Sequence, residues 1–82
     1  GEIAMKELVT YLAKALVSNP DEVEVSEIQG ETAAILELRV AKEDLGRIIG
    51  KQGRTAKSIR TLINAAASRT NRKVVLEIVE DK

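Results

Sequence analysis

Between residues 3 and 18 apolar side chains recur every three or four positions: Leu8, Tyr11, Leu12, Ala15 and Leu16, with Lys6, Glu7 and Lys14 elsewhere on the wheel. That spacing predicts an amphipathic helix with Tyr11 in its core stripe. Asn19-Pro20 ends it, because proline disfavours a helical conformation in the residue before it. From Asp21 to Gln29 the period drops to two, with Val23 and Val25 set against Glu22, Glu24 and Ser26, and a strand is expected. The alternation slips before Ile28, as at a bulge. Gln29-Gly30-Glu31 reads as a turn. A clearer strand follows, in which Ala34, Leu36, Leu38 and Val40 share one face and Glu37 and Arg39 the other. Two strands joined by so short a turn pair antiparallel.

The helical period returns over residues 42–49, with Leu45, Ile48 and Ile49 facing inward, and again from Arg54 to Ser68. The inner face of the longer helix is expected to be Ala56, Ile59, Leu62, Ile63 and Ala66. At about 100° per residue, Arg54, Lys57, Thr61, Asn64 and Ser68 gather on the other side. Thr70-Asn71-Arg72 breaks the pattern, and Lys73 to Val79 is a final strand with Val74, Leu76 and Ile78 on one face. The order α-β-β-α-α-β describes an α+β fold without repeats, linkers or low-complexity tracts.

At 82 residues, 44% hydrophobic and 32% charged, the chain has the size and balance of a single domain over residues 1–82. Gly1 to Ala4, ahead of Met5, read as a tag remnant or a disordered N-terminus. No apolar run is long enough to span a membrane, and no secretory signal is evident. The absence of cysteine suits a reducing cytoplasm and excludes disulfides and thiolate metal sites. Histidine is also absent, which removes the commonest general base and metal ligand together. The carboxylates are plentiful, but most sit in charged stretches that read as solvated surface. Neither an enzyme nor a cofactor or metal site is expected.

The net charge of zero hides a division. Ten acids face four bases before Gly46, whereas Gly46 to Lys73 holds eight bases and no acid. A mixed-sign run would be a solvated face; 28 residues without an acid point instead to an anionic partner.

Within that segment lies a glycine-bracketed loop, Gly50-Lys51-Gln52-Gly53, between two helices. Glycines allow a tight turn and remove the Cβ atoms that would hold a partner off the backbone. Amide N–H groups near Gly53 and Arg54, at the start of the following helix, are expected to face a phosphate with favourable dipole sign. Lys51 and Arg54 add charge without reading base sequence. A G-x-x-G by itself is weak evidence, since its glycines could serve only a helix-turn-helix corner; the basic context raises its meaning. A nucleotide-hydrolysing phosphate loop is excluded: Gly46 to Lys51 is one spacer short of that motif. Gln52 stands where a Mg²⁺-binding Ser or Thr belongs, and no strand precedes the loop.

The run I-I-G-K-Q-G-R-T-A-K-S-I-R within this element order resembles a type II KH domain. With K-E-D-L-G-R-I-I-G-K-Q-G-R and a first helix ending N-P-D-E-V, it is more closely similar to the small bacterial single-KH proteins of the KhpA (YlqC-like) type, from Met5 to Glu80. The resemblance implies a three-stranded mixed sheet, its last strand parallel to the central one, packed by three helices on one face. It implies binding of about four nucleotides of single-stranded RNA or DNA, RNA being the expected partner, with Gly50, Lys51, Gln52 and Gly53 as the clamp. Gly46, Arg47, Ile48, Arg54 and Lys57 would line the groove, and Arg39 would contribute from the central strand. Also implied are a cytoplasmic role in post-transcriptional regulation or as an RNA chaperone linked to cell shape, a homodimer, and a heterodimer with a larger KhpB/Jag-like KH-containing protein. Ala56 stands where many KH domains carry a larger aliphatic residue. Without aromatic stacking, binding should rest on phosphates and weaken with salt. A second class of function is a protein-interaction or dimerisation module, with Ala65-Ala66-Ala67 as a candidate surface.

Overall fold

The computed structural model describes residues 4–69 and 73–79; the expected break at 70–72 lies outside them. Three helices and three strands alternate as α1 (Met5–Leu16), β1 (Glu24–Gln29), β2 (Ala33–Arg39), α2 (Leu45–Ile49), α3 (Arg54–Ser68) and β3 (Lys73–Ile78). Single 3-10 turns at Pro20–Glu22, Lys42–Asp44 and Lys51–Gly53 lead into β1, α2 and α3. The expected α-β-β-α-α-β order is the observed one.

β2 is the central strand of the sheet, antiparallel to β1 and parallel to β3. A parallel partner needs a crossover, and α2 with α3 provides it. The period-two pattern of β2 is obeyed throughout: Ala34, Leu36, Leu38 and Val40 are buried on one face. Register carries that face outward, with Val25 opposite Leu38 on β1, and Val74 and Leu76 opposite Ala34 and Leu36 on β3. All three helices cover this side. The first strand begins later than the Asp21 expected, because proline fixes φ and Pro20–Glu22 forms a 3-10 turn instead.

One core joins every element, and Val9, Leu36, Leu38, Ile48 and Ile63 are its large, fully enclosed side chains. Each contributes roughly 1.5–3 kcal/mol relative to exposure. Two helix faces differ from expectation. On α1 the enclosed residues are Val9 and Ala13, backed by Met5, Leu8 and Leu12, while Tyr11 is 72% exposed. Tyr11 lies about 200° around the helix from Val9, so seating the small Ala13 against its neighbours turns the tyrosine to solvent. On α3 the buried stripe is Ala56, Ile59, Ile63 and Ala67, and Leu62 is 53% exposed. In both helices two adjacent stripes fit the hydrophobic period, and close packing through alanine selects one. Among the described residues no helix is long and apolar enough to cross a membrane.

Candidate nucleic-acid interface

Helix α2 is barely more than one turn long, too short to persist alone. Leu45 packs against the core, and two enclosed residues hold the helix further. Ile48 is completely enclosed in the core, and Asp44, just ahead of the helix, is 1% exposed. The Asp44 carboxylate does not cap α2. It reaches across to the end of the first helix and accepts from the Ser18 amide (3.0 Å), the Asn19 amide (3.0 Å) and the Asn19 side-chain Nδ2 (2.9 Å). The Ser18 hydrogen bond does most to hold its pKa below the ordinary value, against burial, which pushes it up. The Asn19 side chain and amide, and then the nearby Arg47 charge, lower it further. Asp44 was expected among solvated acids, and the structure corrects that.

After Ile49 the chain turns sharply. The Gly50 amide closes α2 by donating to the Gly46 carbonyl at 2.8 Å, and the Gly53 amide donates to the Gly50 carbonyl at 3.1 Å. Three residues of the loop have positive φ: Gly50 (77°), Gln52 (58°) and Gly53 (73°). Gln52 accepts a conformation that costs a non-glycine residue about 1–2 kcal/mol. A Cβ built on Gly50 would overlap the Thr55 side chain and come within 2.8 Å of the Thr55 backbone nitrogen. Around Gly53 nothing lies within 4 Å of such a Cβ, and the same is true of Gly46 in α2.

The donors are not those expected. Gly53 and Arg54 spend their amides inside the turn, on the Gly50 and Lys51 carbonyls. Among the described residues the amides of Lys51 and Gln52, at the tip of the loop, make no intramolecular hydrogen bond. The loop is therefore an exposed tip whose outer amides are open, while its inner amides hold it in shape.

Most of the residues expected at the site come together. Gly46 and Arg47 on α2, Lys51 and Gln52 at the tip, and Arg54 and Lys57 on α3 are all exposed, and Gly50 and Gly53 are partly so. Four cations stand here without an acid between residues 46 and 57. Two expected residues do not join them. Ile48 has no exposed surface and supports α2 from within the core. Arg39 alternates with the buried Leu38 and Val40, which puts its side chain on the sheet face that carries no helix, with the sheet between it and the loop. The helix-facing side chains of β2, Ala34, Leu36, Leu38 and Val40, are enclosed as well. The open depression following the loop is on the outer side of α3, lined by Lys57, Ser58, Thr61 and Leu62. Arg60, another member of the acid-free stretch, is directed elsewhere: its Nε donates to the Leu76 carbonyl and ties α3 to β3.

Sequence reading missed Asp44 and the Lys51 and Gln52 amides. The helix expected over residues 42–49 put Asp44 inside it, and its partners lie 25 and 26 residues away and leave no local trace.

Comparison with known proteins shows the family to which this fold belongs. A chain of Clostridium acetobutylicum described as RNA-binding protein KhpA is 60% identical over 75 residues, which are 92% of this chain and all of that one. The Chlamydia caviae protein of the same description is 56% identical over 78 residues, 95% of this chain and all of its own. Among solved structures, Era in complex with MgGDPNP and nucleotides 1506-1542 of 16S ribosomal RNA superposes with a TM-score of 0.64 at 24% identity. A variant of Aquifex aeolicus Era bound to GDP.AlF4- gives 0.63, also at 24% identity. Each match covers 94% of this chain but only 31% of the Era chain, and shows a shared fold. The family model described as the KhpA/KhpB KH domain matches residues 6–78, and the chain belongs to that family.

Proposed function

We propose that this chain binds single-stranded RNA by its sugar-phosphate backbone at the Gly50–Gly53 loop. One observation carries the reading: an exposed tip with open Lys51 and Gln52 amides, bare of side chain at Gly53 and ringed by Arg47, Lys51, Arg54 and Lys57. The open space above Gly53 suits a close phosphate, and the four cations suit a polyanion. The RNA-binding description of its relatives supports the same conclusion. Gly46, with no atom of the protein above it, extends the contact along α2.

No aromatic residue belongs to this surface, so affinity rests on phosphates and sequence preference is weak. Four neutralised phosphates correspond to a slope of about −3 in log K against log salt for a single strand. Replacing Lys51 and Gln52 together by aspartate puts two carboxylates where phosphates would sit. Both positions are exposed, so the fold survives while filter binding of a short RNA is lost. Unchanged affinity refutes the loop assignment. A cytoplasmic role in post-transcriptional regulation or RNA chaperoning follows from the same proposal.

A second reading has its own observation. Leu62 is 53% exposed on α3 and lines an open depression with Lys57, Ser58 and Thr61. It favours self-association, or pairing with a larger KhpB/Jag-like KH-containing protein, through this face of α3 rather than through the expected Ala65-Ala66-Ala67 run, of which Ala67 is buried. Two weak RNA modules gain affinity when paired, so the two readings are compatible. Leu62→Glu lowers the apparent mass in size exclusion at high concentration if the face associates, and leaves it unchanged if it does not.

A further inference from the structure

The buried carboxylate of Asp44 has no part in the surface just described, yet it is the one charged side chain enclosed among the described residues. We propose that Asp44 is a positioning residue for the RNA-binding loop, holding α2 and the tip that follows it at the angle the phosphate backbone requires. The inference rests on the RNA-binding reading above.

A helix of five residues cannot orient itself, so whatever fixes its two ends fixes the direction of the loop. Ile48 enters the core and the half-buried Leu45 packs against it, apolar contacts that set depth but supply no directional bond at the start of the helix. Asp44 supplies that direction. Its three hydrogen bonds attach the start of α2 to Ser18 and Asn19, two and three residues beyond the end of α1, an element whose own place is fixed by Val9 and Ala13 in the core. Two fixed points then define the line along which Gly46 and Arg47 are presented and from which Lys51 and Gln52 project.

The chemistry of the clip calls for a carboxylate. All three partner groups are N–H donors, so the residue must accept and never donate. An amide of the same shape would, in either orientation, set its NH₂ against at least one of these donors and lose the charge that strengthens each bond. Arg47 is close enough to feel the carboxylate, so the clip also acts on a cation of the binding surface.

The test is Asp44→Asn in the full chain, with a ten-nucleotide single-stranded RNA of mixed sequence as probe. Electrostatics by themselves would make the variant bind more tightly, because it has lost a negative charge near a surface for a polyanion. Positioning demands the opposite: affinity about tenfold lower, the factor equivalent to 1.4 kcal/mol. The salt slope stays as in the parent protein, because no phosphate-contacting cation has been removed. Amide signals of Gly50 to Gly53 shift in the free variant, while those of Leu36 and Ile63 hold. Equal or tighter binding by the folded variant overturns the proposal and assigns Asp44 to fold stability only.

Should Asp44→Asn fail to fold, Asn19→Ala removes one of the three donors and keeps the carboxylate. It is expected to weaken binding about twofold and to shift the same loop amides in the same direction. Unmoved Gly50 to Gly53 amides in that variant overturn the proposal as well. Failure of the parent reading looks different: the unaltered protein then shows no binding, or the Lys51, Gln52 double aspartate variant binds as well as the parent.

Discussion

Gly50 and Gly53 bracket the same loop, share a positive φ within a few degrees of each other, and are glycine for different reasons. At Gly50 the protein itself occupies the space a side chain would take: Thr55 lies against the backbone, its nitrogen 2.8 Å and its Cβ 2.7 Å from the would-be Cβ. The position is required by the fold. At Gly53 the chain needs only the left-handed conformation, and above it the protein leaves open space. One glycine closes the loop on itself, and the other leaves it open to a partner. A two-glycine motif therefore encodes a scaffold residue and a contact residue, and spacing cannot distinguish them.

Alanine substitution separates the two roles. The largest stability effect is expected for Gly50→Ala, which combines a glycine-only backbone (φ 77°, ψ 171°) with overlap against Thr55. A loss of about 3 kcal/mol in chemical denaturation is the expected outcome. Adding Thr55→Ala recovers only part of it, because the Thr55 backbone nitrogen stays in place. A Gly50→Ala variant as stable as the parent would erase the distinction between the two positions.

Gly53→Ala comes next, with the balance reversed. It costs about 1 kcal/mol of stability, the strain of a left-handed alanine, whereas the new methyl enters the space assigned to the phosphate. RNA affinity is expected to fall about fivefold, close to 1 kcal/mol, at a temperature where the variant is fully folded. Stability loss with unaltered binding would make Gly53 a second scaffold residue.

Gly46→Ala has the smallest effect on the free protein and the most informative sign. The residue is helical, without a positive φ, and nothing lies where its side chain would be. Alanine there should stabilise the free protein by about 0.5–1 kcal/mol, because glycine is a poor helix residue. If Gly46 is kept bare for the ligand, the same change weakens RNA binding. A variant both more stable and equally tight-binding would limit the contact surface to the loop and α3.

The hydrophobic periods made most of the fold legible. β2 follows its alternation residue for residue, and α3 begins and ends where the pattern from Arg54 to Ser68 places it, because a glycine precedes it and the periodicity is sustained over four turns. What was not legible depends on contacts between distant residues. Tyr11 and Leu62 stand on apolar stripes that fit the period as well as the buried ones do; the choice between stripes is made by how closely alanines let the layers approach. The positively charged tip was visible in the segment without acids, and Lys51, Arg54 and Lys57 are exposed as expected. The helical period had put Ile48 inward, where it lies, whereas the resemblance put it and Arg39 at the groove, because a likeness of sequence transfers positions without saying which way each side chain faces. The open amides moved from Gly53 and Arg54 to Lys51 and Gln52 because a 3-10 turn consumes the donors that a simple helix start would leave free.

Two faces of the molecule remain to be set against each other directly: the loop side, with Arg47, Lys51, Arg54 and Lys57, and the helix-free side of the sheet, where Ile35, Glu37, Val75 and Glu77 stand. An amide chemical-shift titration with a short single-stranded RNA reads both at once. Shifts should concentrate at Gly46, Arg47, Lys51, Gln52, Gly53, Arg54 and Lys57, with Glu37, Val75 and Glu77 silent. Shifts centred on the sheet face, with residues 46–57 unmoved, would place the RNA elsewhere and remove the loop as its binding site.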